Sequence, residues 1–125
     1  MGAIHRFCGT DYAFEWDGID PELYEESGTA GATRRVLIGP ADGARNFAMR
    51  YFEIPPGGRS ALDRHAHDHG VYILKGKARL ALRGAAHDLG PGDVAYIAPY
   101  EAHQLENTGD EPLGFLCVIP PKSDG

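Results

Sequence analysis

Cysteine is scarce in this 125-residue chain: Cys8 and Cys117 are the only two. A pair of thiols does not make a disulfide framework, and no C-x-x-C is present. Positive charge is also in deficit, with 12 Lys and Arg against 18 Asp and Glu and a net charge of −6. An acidic surface repels polyphosphate backbones and anionic lipid, so neither nucleic acid nor membrane is an expected partner. No apolar run approaches the roughly 20 residues that span a bilayer. The opening "MGAIHRFCGT" lacks an apolar signal region, and Arg6 stands where a myristoylation motif wants Ser or Thr. A cytoplasmic location is the expectation. A serine nucleophile elbow and a Gly-rich phosphate loop are missing too. "GPGD" is turn chemistry, without the following helix that phosphate binding needs.

What is abundant is punctuation. Gly and Pro account for 26 residues, which favours many turns over long helices. The length suits one domain with one core. Residues 1–33 are weakly patterned, an N-terminal extension with scattered aromatics that reads as an edge strand or an interface. Within it "DPELYEE" predicts a one- or two-turn helix, with Asp20 as N-cap and Pro21 in the first turn. Residues 34–125 change texture to short apolar runs: "RRVLI", "NFAMRYFEI", "VYILKG", "KARLALR", "DVAYIA", "HQLEN" and "LGFLCVI". Turn sequences such as "PPGGRS", "LGPGD" and "NTGDEP" separate them. "KARLALR" alternates with period two, one face wet and one buried. Short strands at this spacing without intervening helices predict an all-β sandwich or barrel.

Histidine is the unusual residue. Of six, three lie within "DRHAHDHG" as His65, His67 and His69, and His103 follows several expected strands later. Antiparallel pairing can bring such distant segments side by side. Imidazole suits Mn, Fe, Co, Ni, Cu and Zn, and an added carboxylate leans toward the harder ions. His5 and His87 read as ordinary surface residues, His87 in a polar turn approach.

Two motifs organise this cluster. Gly57, Asp63, His65, His69 and Gly76 fall without a gap on G-x5-H-x-H-x3,4-E-x6-G, and Gly92, His103 and Asn107 fall on G-x5-P-x-G-x2-H-x3-N. The chain thereby resembles the cupin superfamily over roughly residues 46–120. The resemblance implies a jelly-roll β-barrel around an interior cavity, with one divalent transition metal ion (Mn, Fe, Ni or Zn) held near its centre. Carried over, the ligand positions are Asp63, His65, His69 and His103. Asp63 replaces the usual first His and His69 the usual Glu, while Ala98 and Tyr100 replace Pro and Gly of the second motif. Asp63 and His67 are left as rivals for the fourth position. In a continuous strand His65, His67 and His69 would share one face.

Three further residues are candidates. Arg50 interrupts an apolar strand, which reads as a solvent-facing charge, with an anion anchor inside the barrel as the alternative. In "FLCVI" Phe115 and Cys117 share a face that either packs in the core or lines the pocket. The resemblance further implies a homodimer and a small-molecule substrate, while leaving open whether the protein is an enzyme. A dioxygenase-type oxidoreductase comes first, since open positions on the metal admit substrate and O2. The alternatives are a non-redox isomerase or lyase on a sugar or hydroxy acid, with His67 moving a proton, and a binding or sensory module.

Overall fold

The computed structural model describes residues 2–24 and 31–121. Nine strands follow one another: β1 (Glu22–Leu23), β2 (Thr33–Ile38), β3 (Ala48–Ile54), β4 (His69–Lys75), β5 (Ala78–Leu82), β6 (Ala85–Leu89), β7 (Val94–Ile97), β8 (His103–Asn107) and β9 (Leu113–Ile119). They form a six-stranded antiparallel sheet ordered β1-β2-β3-β9-β4-β7 and a three-stranded sheet ordered β6-β5-β8. Two sheets closing face to face make the all-β jelly-roll barrel.

Alternation in each strand sends one set of side chains into the space between the sheets. Ala48, Phe52 and Ile54 of β3, Val71 and Ile73 of β4, Leu80 of β5, Leu105 of β8, and Phe115, Cys117 and Ile119 of β9 form one buried cluster. Phe52 and Phe115 sit on neighbouring strands with rings stacked at 5.3 Å.

The opposite face of β3 is covered by the chain's own N-terminal segment. Phe14 stacks on Tyr51 at 5.7 Å and Trp16 packs against it at 5.2 Å, leaving Tyr51 with no exposure. Lys75 ties the segment down, donating to the Tyr12 carbonyl at 2.8 Å and lying over the Phe14 ring. Burying an aromatic of this size contributes about 1.5–3 kcal/mol. The extension thus serves its own barrel, and Glu22–Leu23 adds a short edge strand to β2.

Two local expectations are corrected here. The helix expected from Asp20 is not formed over its described part, where Glu22–Leu23 pairs as strand; residues 25 and 26 lie outside the described residues. One or two isolated turns cannot repay helix nucleation, whereas pairing with β2 satisfies the backbone at once. The "AAHDL" segment is strand β6 rather than a turn approach, with the exposed His87 opposite Leu80. Its residues are almost all exposed, so no apolar period marked it.

The motif positions show why the fold needs them. Gly76 joins β4 to β5 at φ +86°, where a Cβ would lie 2.8 Å from the Pro112 carbonyl oxygen and 2.9 Å from Leu113 Cα. Only glycine fits both demands. Asn107 is a buried staple: its Nδ2 donates to the Ile54 carbonyl at 2.9 Å and the Glu111 carbonyl at 2.8 Å, and its Oδ1 accepts from Gly109 N–H at 2.9 Å. Tyr100, at the second motif's glycine position, adopts φ +62°. Its N–H donates to the His65 carbonyl at 2.6 Å, so this strained loop holds the histidine segment in place.

Candidate metal centre and substrate cavity

The histidine segment is not a continuous strand. Residues 64–68 form a loop and bends, and regular pairing begins only at His69. Asp63 makes an isolated bridge to His103, with N–H···O distances of 3.0 Å in both directions. This bridge joins the two motifs. His69 comes from the six-stranded sheet, His103 from the three-stranded sheet, and Asp63 and His65 from the loop laced to the latter.

The rings converge between the sheets. Centroids lie 4.6 Å apart for His69 and His103, 5.5 Å for His65 and His103, and 5.6 Å for His65 and His69. Imidazoles that share an ion at about 2.1 Å have centroids about 4.5–5.5 Å apart; the two pairs with His103 fall in that range and His65–His69 lies just beyond it. Asp63 Oδ2 is 3.6 Å from His65 Nε2. His67 lies parallel to His65 within 6° at 5.0 Å. An imidazole lone pair lies in its ring plane, and parallel planes do not meet, so these two rings in this orientation cannot aim at one point. The His67 ring instead lies over its own loop, with Nδ1 3.2 Å from the Asp68 carbonyl oxygen.

Among the described residues no three His, Cys, Asp or Glu side chains stand ready to hold an ion as they are. Ring spacing and donor direction are therefore different matters, and a shared ion would require rotation about side-chain bonds to bring the donors to a common point. Two hydrogen-bonding features fit that use. His103 Nδ1 is 2.9 Å from the Glu101 carbonyl, so it carries the proton and donates, leaving Nε2 with its lone pair. His69 Nδ1 faces Cys117 Sγ at 3.5 Å, while its Nε2 is buried with no hydrogen-bond partner. Burial, then the neighbouring His103, His65, His67 and Arg50, lowers His69 from 6.5 to about 4. The ring is neutral at physiological pH, the form that binds metal.

A cavity opens beside this cluster. Asp63, His65, His69 and His103 line one part of it, and Arg50, Phe115 and Cys117 line another; His67 is not in its wall. Arg50 corrects the expectation of a solvent-facing charge. It shares the inner face of β3 with Ala48, Phe52 and Ile54, lies over the Phe52 ring at 4.9 Å and donates to Cys117 Sγ at 3.5 Å. Cys117 is both buried and part of the wall, and burial raises its thiol pKa against the opposing pull of Arg50. Arg34 and Tyr24 also line the cavity. Both escaped the sequence reading, because the doublet "RRVLI" does not reveal which arginine faces inward.

Comparison with known proteins agrees with this architecture. The Cupin domain family model matches residues 50–119. The chain is 39% identical over 114 residues to 1-methylthio-D-xylulose 5-phosphate methylsulfurylase of Rhodospirillum rubrum, covering 89% of this chain and 72% of that one. It is 37% identical over 91 residues to the glucose-6-phosphate isomerase of Pyrococcus horikoshii, covering 63% of this chain and 48% of that enzyme. Among solved structures, a cupin-2 domain protein from Rhodospirillum rubrum superposes with a TM-score of 0.82 at 36% identity, over 95% of this chain and 80% of that one. A barrel of this topology, with both histidine motifs meeting across its sheets and a family match over most of its strands, belongs to the cupin family.

Proposed function

We propose that this cupin is a metal-dependent enzyme moving protons on a small sugar-like hydroxy or keto compound, an isomerase- or lyase-type reaction. The observation that carries the reading is the bare, buried Nε2 of His69 among His65 and His103. An unsatisfied buried donor or acceptor costs about 1–3 kcal/mol, a cost that a bound ion removes. His65, His69 and His103 are the residues to hold a divalent ion, with Asp63 beside them. Such an ion, when bound, supplies Lewis acidity toward a carbonyl or hydroxyl oxygen.

The chain's own groups do the rest. Asp63 and His65 stand 3.6 Å apart in the cavity wall; whichever of the two is not engaged by the ion is placed to take or return a proton. Phe52 and Phe115 wall the cavity with apolar surface that excludes water. The relatives named for a xylulose phosphate derivative and for glucose 6-phosphate support a sugar-like substrate. The oxidative reading expected first from the sequence predicts a different behaviour, dependence on O2. The test is anaerobic incubation of metal-loaded protein with ketose and aldose phosphates in D2O, followed by NMR. Deuterium entering the carbon next to the carbonyl, with turnover undiminished by the absence of O2, is the expected result. Turnover that requires O2 and consumes it in proportion to substrate overturns the proposal.

A further inference from the structure

We infer that Arg34 and Arg50 together form an anion subsite on the six-stranded-sheet side of the cavity, taking the phosphate group of a phosphorylated substrate. The inference rests on the proposed reaction for its other half, the carbon end held near the histidines.

Arg50 is a charge placed where charge is expensive. It projects from the inner face of β3 among core residues, and its contacts are a thiol and an aromatic ring. None of the ion pairs among the described residues includes it, and its Nε is buried without a partner. A partly buried guanidinium with an unmet buried Nε–H is costly to keep unless a partner anion arrives. Arg34 repeats the pattern. Its Nε is also buried and unpartnered, and its Nη2 reaches Glu22 Oε2 at 3.2 Å at the exposed rim.

Register brings the two together. Arg34 pairs with Phe52 and Val36 with Arg50, so the arginines are diagonal neighbours on one face, their Cβ atoms somewhat closer than about 7–8 Å. Long side chains bridge such a gap easily. Two guanidiniums offering forked donors match a tetrahedral dianion better than a single carboxylate. Arg50 lies opposite Cys117, which in turn contacts His69. One compact molecule can therefore meet the arginines at one end and the imidazoles at the other. Both arginines line the cavity, where a bound anion is less screened than at the open surface.

The test is titration of the full chain with inorganic phosphate, followed by calorimetry, with and without a chelator. Arg50→Met and Arg34→Met are expected to weaken phosphate by about 10- to 100-fold each, and Arg50→Lys by less than Arg50→Met. Folding of each variant is checked by circular dichroism. Glu22→Gln, which frees Arg34 at the rim, is expected to tighten binding. Phosphate affinity unchanged in both Met variants, or lost on chelation while surviving in both, overturns the subsite by placing the anion elsewhere. If metal-loaded protein converts an uncharged sugar as readily as its phosphate ester, the subsite falls and the proposed reaction stands. If phosphate binds through both arginines while no sugar phosphate exchanges deuterium, the reaction falls and the subsite stands.

Discussion

Replacing His69 by Leu separates what the residue does for the fold from what it does for metal. In the metal-free protein its buried Nε2 has no partner, a penalty of about 1–3 kcal/mol. Leu has a similar volume, adds no polar group, and gives up only the long contact to Cys117 Sγ at 3.5 Å, worth at most about 1 kcal/mol. The variant is therefore expected to be more stable than wild-type apoprotein by about 1 kcal/mol at pH 7.5. Acid enlarges the difference. His69 titrates near 4 in the fold against 6.5 when exposed, so between those values the unfolded chain binds the extra proton. The stability His69 contributes as a neutral ring is fully present above pH 6.5 and is lost as pH falls toward 4. At pH 5 that loss is about 2 kcal/mol for the wild type and absent in His69→Leu. Urea unfolding of both chelated proteins at pH 7.5 and 5 measures the two differences. A Leu variant less stable at pH 7.5, or a stability gap that does not widen in acid, refutes the account of His69 as a buried, neutral, under-satisfied ring.

Metal content distinguishes the neighbours. His69→Ala is expected to emerge without metal and His67→Ala to retain it, as plasma mass spectrometry of the purified variants will show; the reverse result means the ion sits with His65 and His67. Asn107→Ala leaves the Ile54 and Glu111 carbonyls and the Gly109 N–H unmatched, so a loss of about 3 kcal/mol in urea unfolding is expected. Tyr100→Gly relieves a left-handed backbone at φ +62°, with a gain of up to about 1 kcal/mol by thermal melting. We propose a homodimer that uses the exposed Tyr72, Val94 and Tyr96 on the outer face of β4 and β7. Tyr96→Glu is expected to shift sedimentation toward monomer at tens of micromolar, and a wild type already monomeric there sinks the idea.

The strands that pack were legible because burial writes itself into the sequence. β5 reads Ala78, Leu80 buried against Arg79, Ala81 exposed, and that alternation needs no structure to be seen. β6 wrote little, since four of its five residues face solvent on an edge and only Leu89 packs against the core. The site was legible to the same degree and for a related reason. His65, His69 and His103 sit at fixed intervals from glycines whose backbone the fold constrains, so motif spacing located them. Arg50 was not legible. Its phase on β3 depends on which face the sheet buries, and both faces of that strand are buried: Phe52 and Ile54 pack inward, while Tyr51 packs under Phe14 and Trp16. A charge within a strand covered on both sides could point either way by pattern.

The same doubly covered strand explains why the charge can remain inside. On the outer face of β3, Phe14 and Trp16 cover Tyr51 while Glu53 pairs with Lys75, and strand alternation turns Arg50 to the inner face that lines the cavity. The N-terminal aromatics, remote from the histidines, thus help fix the wall of the cavity. Trimming them is expected to expose the Tyr51 face of β3, the strand that carries Arg50 opposite Cys117. The proposed metal ligands stand on β4, β8 and the loop between β3 and β4, so they are less directly tied to that change. Substitution at Tyr51 is therefore expected to disturb the cavity wall around Arg50 before it disturbs the proposed metal site.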